Sequence, residues 1–554
     1  MAPPKRDLWL LAILGLALAL RLYGIGQDLP QVYNPDEANI MARALSIARD
    51  PNPHYFLYPS FFFYALFASL GGLFVLGFVA GRYPSIAAFE RGFFQDPSAF
   101  YLAGRALVVA AALGTMVLTY RLAARRFGRA AGLAAAFFLA ICYVHVRDSH
   151  YLKHDVPAAL LVMLALAAFE RVMERGERRD YLAAGAAMGA AFATHYYTVF
   201  LAPAFALCHL TAWGLRRLSR WAASGVASAL IFFLLSPFVI LNFSEALAHM
   251  RANREIVMGR ATGAFLPSLG TYLRLLGEQA LGWPLLLLVI AGLVLIARRG
   301  RRELALWGGF VFPFFFFLCF TWGAGRYLNP ILPPLAVAAG VAVGALARQS
   351  AGLAAVVAFA AGVWPLYNSL QVDRLFATAD TRTLARQWIL EHLPAGEAVA
   401  LQSYSVPLPQ SLESLREGLS AHGASAELSR RGKYARLAAV AGETGPGYRL
   451  YFIGRGDEKE RIYFDYEELL SSRLEPLRRR GVGHAVLRHP PAEVPPRVAA
   501  LFQEVAGQGQ LAARFSPFPE GARLAPYLDN EDWPASRKLL RKGPLVEIWS
   551  LPGH

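Results

Sequence analysis

Long apolar runs recur along the first two thirds of the chain, at about 8–24, 99–120, 130–146, 157–172, 181–197, 198–214, 222–242, 283–297, 304–322, 331–347 and 351–370. A helix needs roughly 17 to 25 predominantly apolar residues to cross a hydrocarbon core, so these runs predict about eleven transmembrane helices. After about 371 the pattern changes. Short apolar runs, AVALQSY (398–404), RLYFIGR (449–455), GHAVLRH (483–489), LAARFSPF (511–518) and LVEIWSL (545–551), alternate with helical patterns such as TRTLARQWILEHL and YEELLSSRLEPLRRR. That rhythm predicts a separate α/β domain. The expected organisation is a polytopic helical membrane domain over 1–370, with a long first loop at 25–98, followed by an α/β domain over 371–554.

Charge orients the spans. Lys5 and Arg6 and then alternate loops are basic: RLAARRFGR (121–129), ERVMERGERR (170–179), WGLRRLSR (213–220), ARRGRRE (297–303) and a weaker ARQ (347–349). The positive-inside rule assigns these to the cytoplasm. One further apolar run, PSFFFYALFASLGGLFVLGFVAG (59–81), would reverse every later loop if it crossed, so it is expected to lie in the outer interface. The first apolar run lacks a small-residue cleavage site before Arg21 and reads as a retained span, not a signal peptide. The active side and the α/β domain are then extracytoplasmic, in a multi-pass protein of the plasma (inner) membrane.

Composition agrees. Of 554 residues 56% are hydrophobic and 17% charged, and the mean hydropathy is +0.36. The net charge of +16 arises largely from the cytoplasmic loops, so no nucleic-acid partner is needed to account for it. Cys142, Cys208 and Cys319 all fall in apolar runs, leaving none for an extracytoplasmic disulfide or a CxxC site.

On this orientation the polar residues gather on one side. The first loop carries VYNPDEANIMARALSIARD, in which Asn34 and Pro35 suit a helix start and Asp36 and Glu37 its first turn. By itself that pair only begins an amphipathic helix with Ile40, Ala44 and Ile47 on one stripe. However, HVRDSHYLKHDVPAAL (145–160) places Arg147, Asp148, His150, Lys153, His154 and Asp155 at the same membrane edge. Any one of these reads as a cap or an anchor, whereas six together point to a functional site. Arg105 lies about one and a half turns inside the second span, at a depth that asks for a negative partner, and Arg326 sits where GAGRYLNP breaks the ninth. His195 in ATHYYTVF is a further candidate.

No GxxxxGK[ST], strand-to-helix GxGxxG or HExxH occurs, so a reaction here would need an activated donor already in the membrane. A sugar on a polyprenyl phosphate meets that requirement. A carboxylate, with Asp36 the candidate, would take the proton of an attacking acceptor hydroxyl, and guanidinium groups would neutralise the departing lipid phosphate.

The order of these elements resembles the dolichyl-phosphate-mannose protein mannosyltransferase and aminoarabinose transferase superfamily, glycosyltransferases of the GT-C fold and family 39 type. The resemblance rests on Asp36-Glu37 soon after the first span, Tyr58-Pro59, Arg105 in the next span, His150-x4-Asp155, and Arg326-Tyr327 before a Pro-rich span. It covers the first 370 residues and extends weakly to DTRTLARQWILEHLPAGEAV (380–399). It implies Asp36 as catalytic base with Glu37 beside it on the acceptor side and Asp155 supporting. It also implies Arg105 and Arg326 as donor-phosphate ligands, a set to which His150, Lys153, Tyr327 and His195 are candidates to belong, with Arg147 and Asp148 in support. His150 stands where an Arg is usual and His195 where a Lys is usual, so their charge would vary with pH. The implied partners are a polyprenyl-phosphate-linked sugar, an acceptor protein, lipid or glycan, and membrane lipids. A divalent metal ion is a candidate cofactor, for which Asp36, Asp148, Asp155 and the histidines could furnish ligands, although no spacing dictates a site.

Two rivals remain at this level. A transporter or flippase would show inverted repeats and polar residues near the bilayer midplane, and no internal repeat is detected. A lipid-linked glycan ligase or polymerase would share the donor but depend on Arg and His in place of an Asp-Glu loop. Gly185 and Gly189 form a GxxxG that permits close helix packing, within or between molecules.

Overall fold

The computed structural model describes residues 7–259, 265–421, 433–441, 447–456, 458, 461–489, 494–522 and 539–552. The chain divides into two compact units. The first comprises Met1–Ile25, Pro35–Gly72 and Tyr101–Asp373, and the second comprises Gly26–Asn34, Leu73–Phe100 and Arg374–His554. Sequence alone assigned the whole first loop to the membrane domain, whereas here two of its pieces go with the C-terminal unit.

The first unit is helical. Its elements are α1 (Leu8–Leu22), α2 (Pro35–Ser46), the first part of α3 (Phe61–Val79), most of α5 (Ser98–Phe127), then α6 (Arg129–Ala140), α7 (Tyr143–Ser149), α8 (Asp155–Glu174), α9 (Arg178–Phe192), α10 (Leu201–Trp213), α11 (Leu218–Leu235), α12 (Pro237–Leu241), α13 (Phe243–Gly259), α14 (Phe265–Arg274), α15 (Trp283–Arg298), α16 (Arg301–Leu318), α17 (Leu332–Ala347) and most of α18 (Ala351–Ala377). The helix α4 (Ile86–Gln95) belongs to the second unit.

Every apolar run read from the sequence is helical, but among the described residues only five helices are long and apolar enough to cross a membrane. The count rises to seven if two bent pairs each make one span. One of these pairs, α6 with α7, bends by 57°; the other, which joins the segment ending at Ala280 to α15, bends by 113°. Gly282 stands at the second bend with φ of +82°, followed by Trp283-Pro284 at the helix start. The run at 59–81, expected to lie in the interface, forms the 19-residue α3, which meets the same length and apolarity test. Its interfacial placement therefore rests on the charge alternation.

Small residues bring these helices together. A Cβ at Gly185 or Gly189 would strike the backbone carbonyls of Ser224 and Ser228, so α9 lies directly on the backbone of α11. The GxxxG motif thus makes a contact within the chain. Likewise Gly340 and Gly344 of α17 meet Ala131 and Ala135 of α6, and Gly292 of α15 meets the Ala338 carbonyl. Where lipid tails are as apolar as Leu, close backbone approach of this kind supplies the dispersion contacts that hold helices together.

The second unit carries a six-stranded sheet in the order β3-β2-β1-β4-β6-β5, with β1 (Ala398–Gln402), β2 (Arg449–Ile453), β3 (Ile462–Phe464), β4 (Val482–His489), β5 (Gln510–Phe515) and β6 (Leu545–Ser550). The first four strands are parallel, and β6 pairs antiparallel with both β4 and β5, so β6 alone runs against the rest. Every residue of β1 is buried, as a central parallel strand covered on both faces requires. One face packs Tyr451, Leu469, Leu477 and Leu501, and the other Ile389, Tyr448, Val486 and Ile548. Asp380 starts the helix Thr381–His392, its carboxylate accepting the Arg382 N–H at 2.8 Å. Five strands fall on the apolar runs named above; β3, three residues long, carried no comparable signal.

Candidate functional site

The site is built on α2. Its buried face carries Glu37, Ile40, Met41 and Ala44. Glu37 turns inward and is 1% exposed: Oε1 accepts Arg105 Nε at 2.9 Å and the Leu152 N–H at 2.7 Å, and Oε2 accepts Arg105 Nη2 at 2.8 Å. Arg105 Nη1 donates to the Ile25 carbonyl at 2.6 Å. The negative partner that the depth of Arg105 called for is therefore Glu37. One carboxylate pins together α2, α5 and the segment that leads into α8.

Asp36, one residue earlier, points a different way, and its side chain is 41% exposed. Its Oδ2 is 3.0 Å from Lys153 Nζ and 3.2 Å from Arg326 Nη1. The Lys153 charge, and after it that of Arg326, holds the Asp36 carboxyl well below the usual carboxylate range, against the opposing effect of burial. Arg326 is itself placed by a relay. Arg147 Nε donates to Asp148 Oδ1 at 2.7 Å, Asn329 Nδ2 donates to Asp148 Oδ2 at 2.6 Å, and the same amide donates to the Arg326 carbonyl at 3.1 Å. Arg326 also lies over the Tyr327 ring, 5.4 Å from its centre.

The loop from α7 to α8 brings His154 and Asp155 beside His195, which precedes a short 3-10 helix at Tyr196–Phe200. The three side chains are buried, and one donor atom from each lies within 4.8 Å of the others. Aromatic rings hold the imidazoles: Tyr58 is 3.8 Å from His154 and 5.4 Å from His195, and Tyr197 stacks on His195 at 3.4 Å. His195, Tyr197 and Tyr327 also line an apolar cavity of about 690 Å³, walled by Phe192, Phe200, Phe232, Phe314 and Phe317 and reached by Arg254.

The structure thus gathers Asp36, Lys153, Arg326, Tyr327, Asp148, Arg147, Asp155 and His195 in one region of the first unit. It places two expected phosphate ligands elsewhere. Arg105 is engaged with Glu37, and His150 faces carbonyls with both ring nitrogens, Nδ1 2.9 Å from Val146 O and Nε2 3.0 Å from Tyr23 O. Burial pushes the His150 imidazole down to about 4, and with both ring nitrogens on carbonyls the ring is engaged within the protein. Asn329 and Tyr197 were not anticipated. Asn329 sits three residues after Arg326, the spacing at which a side chain reaches back to a carbonyl, and that was the available signal.

Comparison with known proteins bears on this arrangement. Residues 99–241 match the family model described as dolichyl-phosphate-mannose-protein mannosyltransferase. Over the whole chain the fold is similar to the ArnT crystal structure from Cupriavidus metallidurans bound to undecaprenyl phosphate, at 14% identity and a TM-score of 0.55, covering 98% of each chain. The chain has the GT-C fold of membrane glycosyltransferases. The apo ArnT structure from the same organism gives 14% identity and a TM-score of 0.53 over 98% of this chain and 97% of that one. The oligosaccharyltransferase of Archaeoglobus fulgidus is also similar, at 13% identity and a TM-score of 0.47 over 87% and 68%. None of the curated proteins compared with the chain matches it. Family model and fold agree on a multi-pass membrane glycosyltransferase.

Proposed function

We propose that this enzyme moves a sugar from a polyprenyl-phosphate carrier to an acceptor hydroxyl on the extracytoplasmic side of the membrane. The observation that carries the reading is a half-exposed carboxylate, Asp36, held by two cations, Lys153 and Arg326, with Tyr327 beneath Arg326 and lining the aromatic cavity. A polyprenyl chain suits that cavity, and a phosphate suits the two cations; undecaprenyl phosphate is the lipid bound in the similar ArnT structure.

The chemistry follows from the geometry. The acceptor oxygen attacks the anomeric carbon, its proton passes to the Asp36 carboxylate, the carbon–oxygen bond to phosphate breaks, and the polyprenyl phosphate leaves with its charge neutralised by Lys153 and Arg326. While both cations sit on Asp36, the carboxylate is a weak base. A phosphate that draws them away raises its basicity, so donor binding itself readies the base. Glu37, buried on Arg105, positions α2 and does not meet the acceptor. The charge alternation of the loops supports the extracytoplasmic side and the plasma-membrane location.

The test is release of polyprenyl phosphate from a panel of polyprenyl-phosphate sugars by the purified enzyme, comparing wild type with Asp36→Asn. Release by wild type with a loss of roughly 10²- to 10⁴-fold in the variant is expected for removal of a general base. No donor consumed by wild type, or a variant equal to it, overturns the reading.

A further inference from the structure

We infer that His154, Asp155 and His195 form a binding site for one divalent transition-type cation of the zinc class. The imidazoles and the carboxylate are 4%, 3% and 8% exposed in the order His154, Asp155, His195, and their donor atoms converge within 4.8 Å. Among the described residues neither the His154 ring nor the Asp155 carboxylate has a protein hydrogen-bond partner. A buried carboxylate without a hydrogen bond is costly, even with the Arg326 and Lys153 charges nearby, and it is normally paired or bound to a metal. Among the described residues the one hydrogen bond to the His195 ring is a long one, 3.4 Å from the Tyr197 N–H to Nδ1, and a cation on either ring nitrogen would displace it. The Tyr197 hydroxyl, on the ring stacked against His195, is also buried without a hydrogen-bond partner.

The donor set fixes the class of ion. Two imidazoles and one carboxylate suit zinc, cobalt or ferrous iron, whereas magnesium and calcium prefer all-oxygen shells. Three protein ligands leave a coordination position open, which is how catalytic zinc sites differ from structural ones. The rings of Tyr58 and Tyr197 hold the imidazole planes in place, a support that metal-bound histidines otherwise take from hydrogen bonds. His154 follows Lys153 directly, so the ion would lie beside the cations assigned to the donor phosphate. That role depends on the proposed function, but the site does not, and its test uses no sugar donor.

The full-length protein is purified, stripped with a chelator and titrated with Co²⁺, following the visible ligand-field absorption and counting bound Zn²⁺ by elemental analysis. One ion per chain is expected, with binding at least about 100-fold weaker in His154→Ala and in His195→Ala and unchanged in His392→Ala, an exposed histidine of the second unit. Asp155→Asn, which keeps the side chain's shape, should also lose the ion. Failure of stripped wild type to bind Co²⁺ overturns the site whatever becomes of the variants, as does binding that survives in Asp155→Asn with both histidines replaced. Loss of donor consumption in Asp36→Asn with metal binding intact separates this site from the catalytic reading.

Discussion

Replacing Glu37 with Ala tests whether the buried pair with Arg105 is the clamp that sets α2. Glu37 and Arg105 side chains are 1% and 0% exposed, and the carboxylate accepts three hydrogen bonds, two from the guanidinium and one from the Leu152 N–H. Removing one member of a buried ion pair costs about 3–5 kcal/mol, because the remaining charge stays out of water, and a stranded backbone N–H adds about 1–3 kcal/mol. The stranded Arg105 charge alone shifts the unfolding equilibrium by about 10²- to nearly 10⁴-fold. The assay is reversible unfolding by sodium dodecyl sulfate titration from mixed micelles, on wild type, Glu37→Ala, Arg105→Leu and the double variant. Each single change should be strongly destabilising. The double variant should be more stable than the sum of the two, since no charge is then left alone. Refutation is equally direct: Glu37→Ala within about 1 kcal/mol of wild type, or strictly additive losses, would mean that the pair is not the clamp.

Asn329→Leu leaves a buried Asp148 oxygen without its donor, so it should destabilise by about 1–3 kcal/mol, and, since Asn329 joins Asp148 to the Arg326 carbonyl, it should raise the apparent KM for donor more than it lowers kcat; donor-saturation kinetics on the folded variant check this. The Asp36 carboxyl is depressed in the folded state, so its ion pairs contribute fully above the unfolded value near 3.9 and are lost only as pH falls through the lower folded value. The stability difference between wild type and Asp36→Asn should accordingly be the same at pH 5 and pH 7 in thermal melts, and a difference that shrinks at pH 5 would contradict the pairing. Gly189→Leu should force α9 away from the Ser228 carbonyl, costing about 1–3 kcal/mol or more, read in the same detergent titration. In the second unit, Lys542 is 1% exposed and pairs with Asp28 and with Gln27 Oε1 at 2.7 Å. Lys542→Met strands a buried carboxylate and should destabilise that unit by about 3–5 kcal/mol, with Asp28→Asn in addition restoring part of the loss.

Periodicity made the long apolar helices and five of the six strands legible, because each buries a face or a stripe whose spacing shows in the sequence, whereas α4, α13 and α14 lie in segments that read as loops. It was less informative about breaks. The bend after Ala140 and the one at Gly282 lie inside or beside apolar runs that read as continuous, since backbone direction is set there by local φ and by packing. The pattern YEELLSSRLEPLRRR reads as one helix, yet Arg473 and Leu474 adopt positive φ and divide it into Tyr466–Ser471 and Glu475–Arg479. At the site, residue type and membrane-edge position found Asp36, Lys153 and Arg326. What they could not give was partnership. Nothing in the sequence separates an arginine that reaches a partly exposed carboxylate from one that holds a neighbouring helix, so Arg105 and Arg326 looked alike.

Helix geometry explains why two adjacent carboxylates can take opposite roles. Successive residues on an α-helix point about 100° apart, so Asp36 and Glu37 cannot serve one partner. Glu37 falls on the stripe with Ile40, Met41 and Ala44 and must be buried, which is tolerable only because Arg105 arrives from α5 at the matching depth. Once that pair is made, the rotation of α2 is fixed, and Asp36 is carried to the partly open side where Lys153 and Arg326 converge. The buried pair thus sets the angle of presentation, and the exposed carboxylate is left to exchange partners. A swap of the two, Asp36→Glu with Glu37→Asp, keeps both charges but lengthens one arm and shortens the other. It should draw Arg105 short of its partner and push the proposed base past its place, so donor consumption should fall even though composition and net charge are unchanged. Wild-type rates in the swapped enzyme would refute the assignment of distinct roles to the two carboxylates.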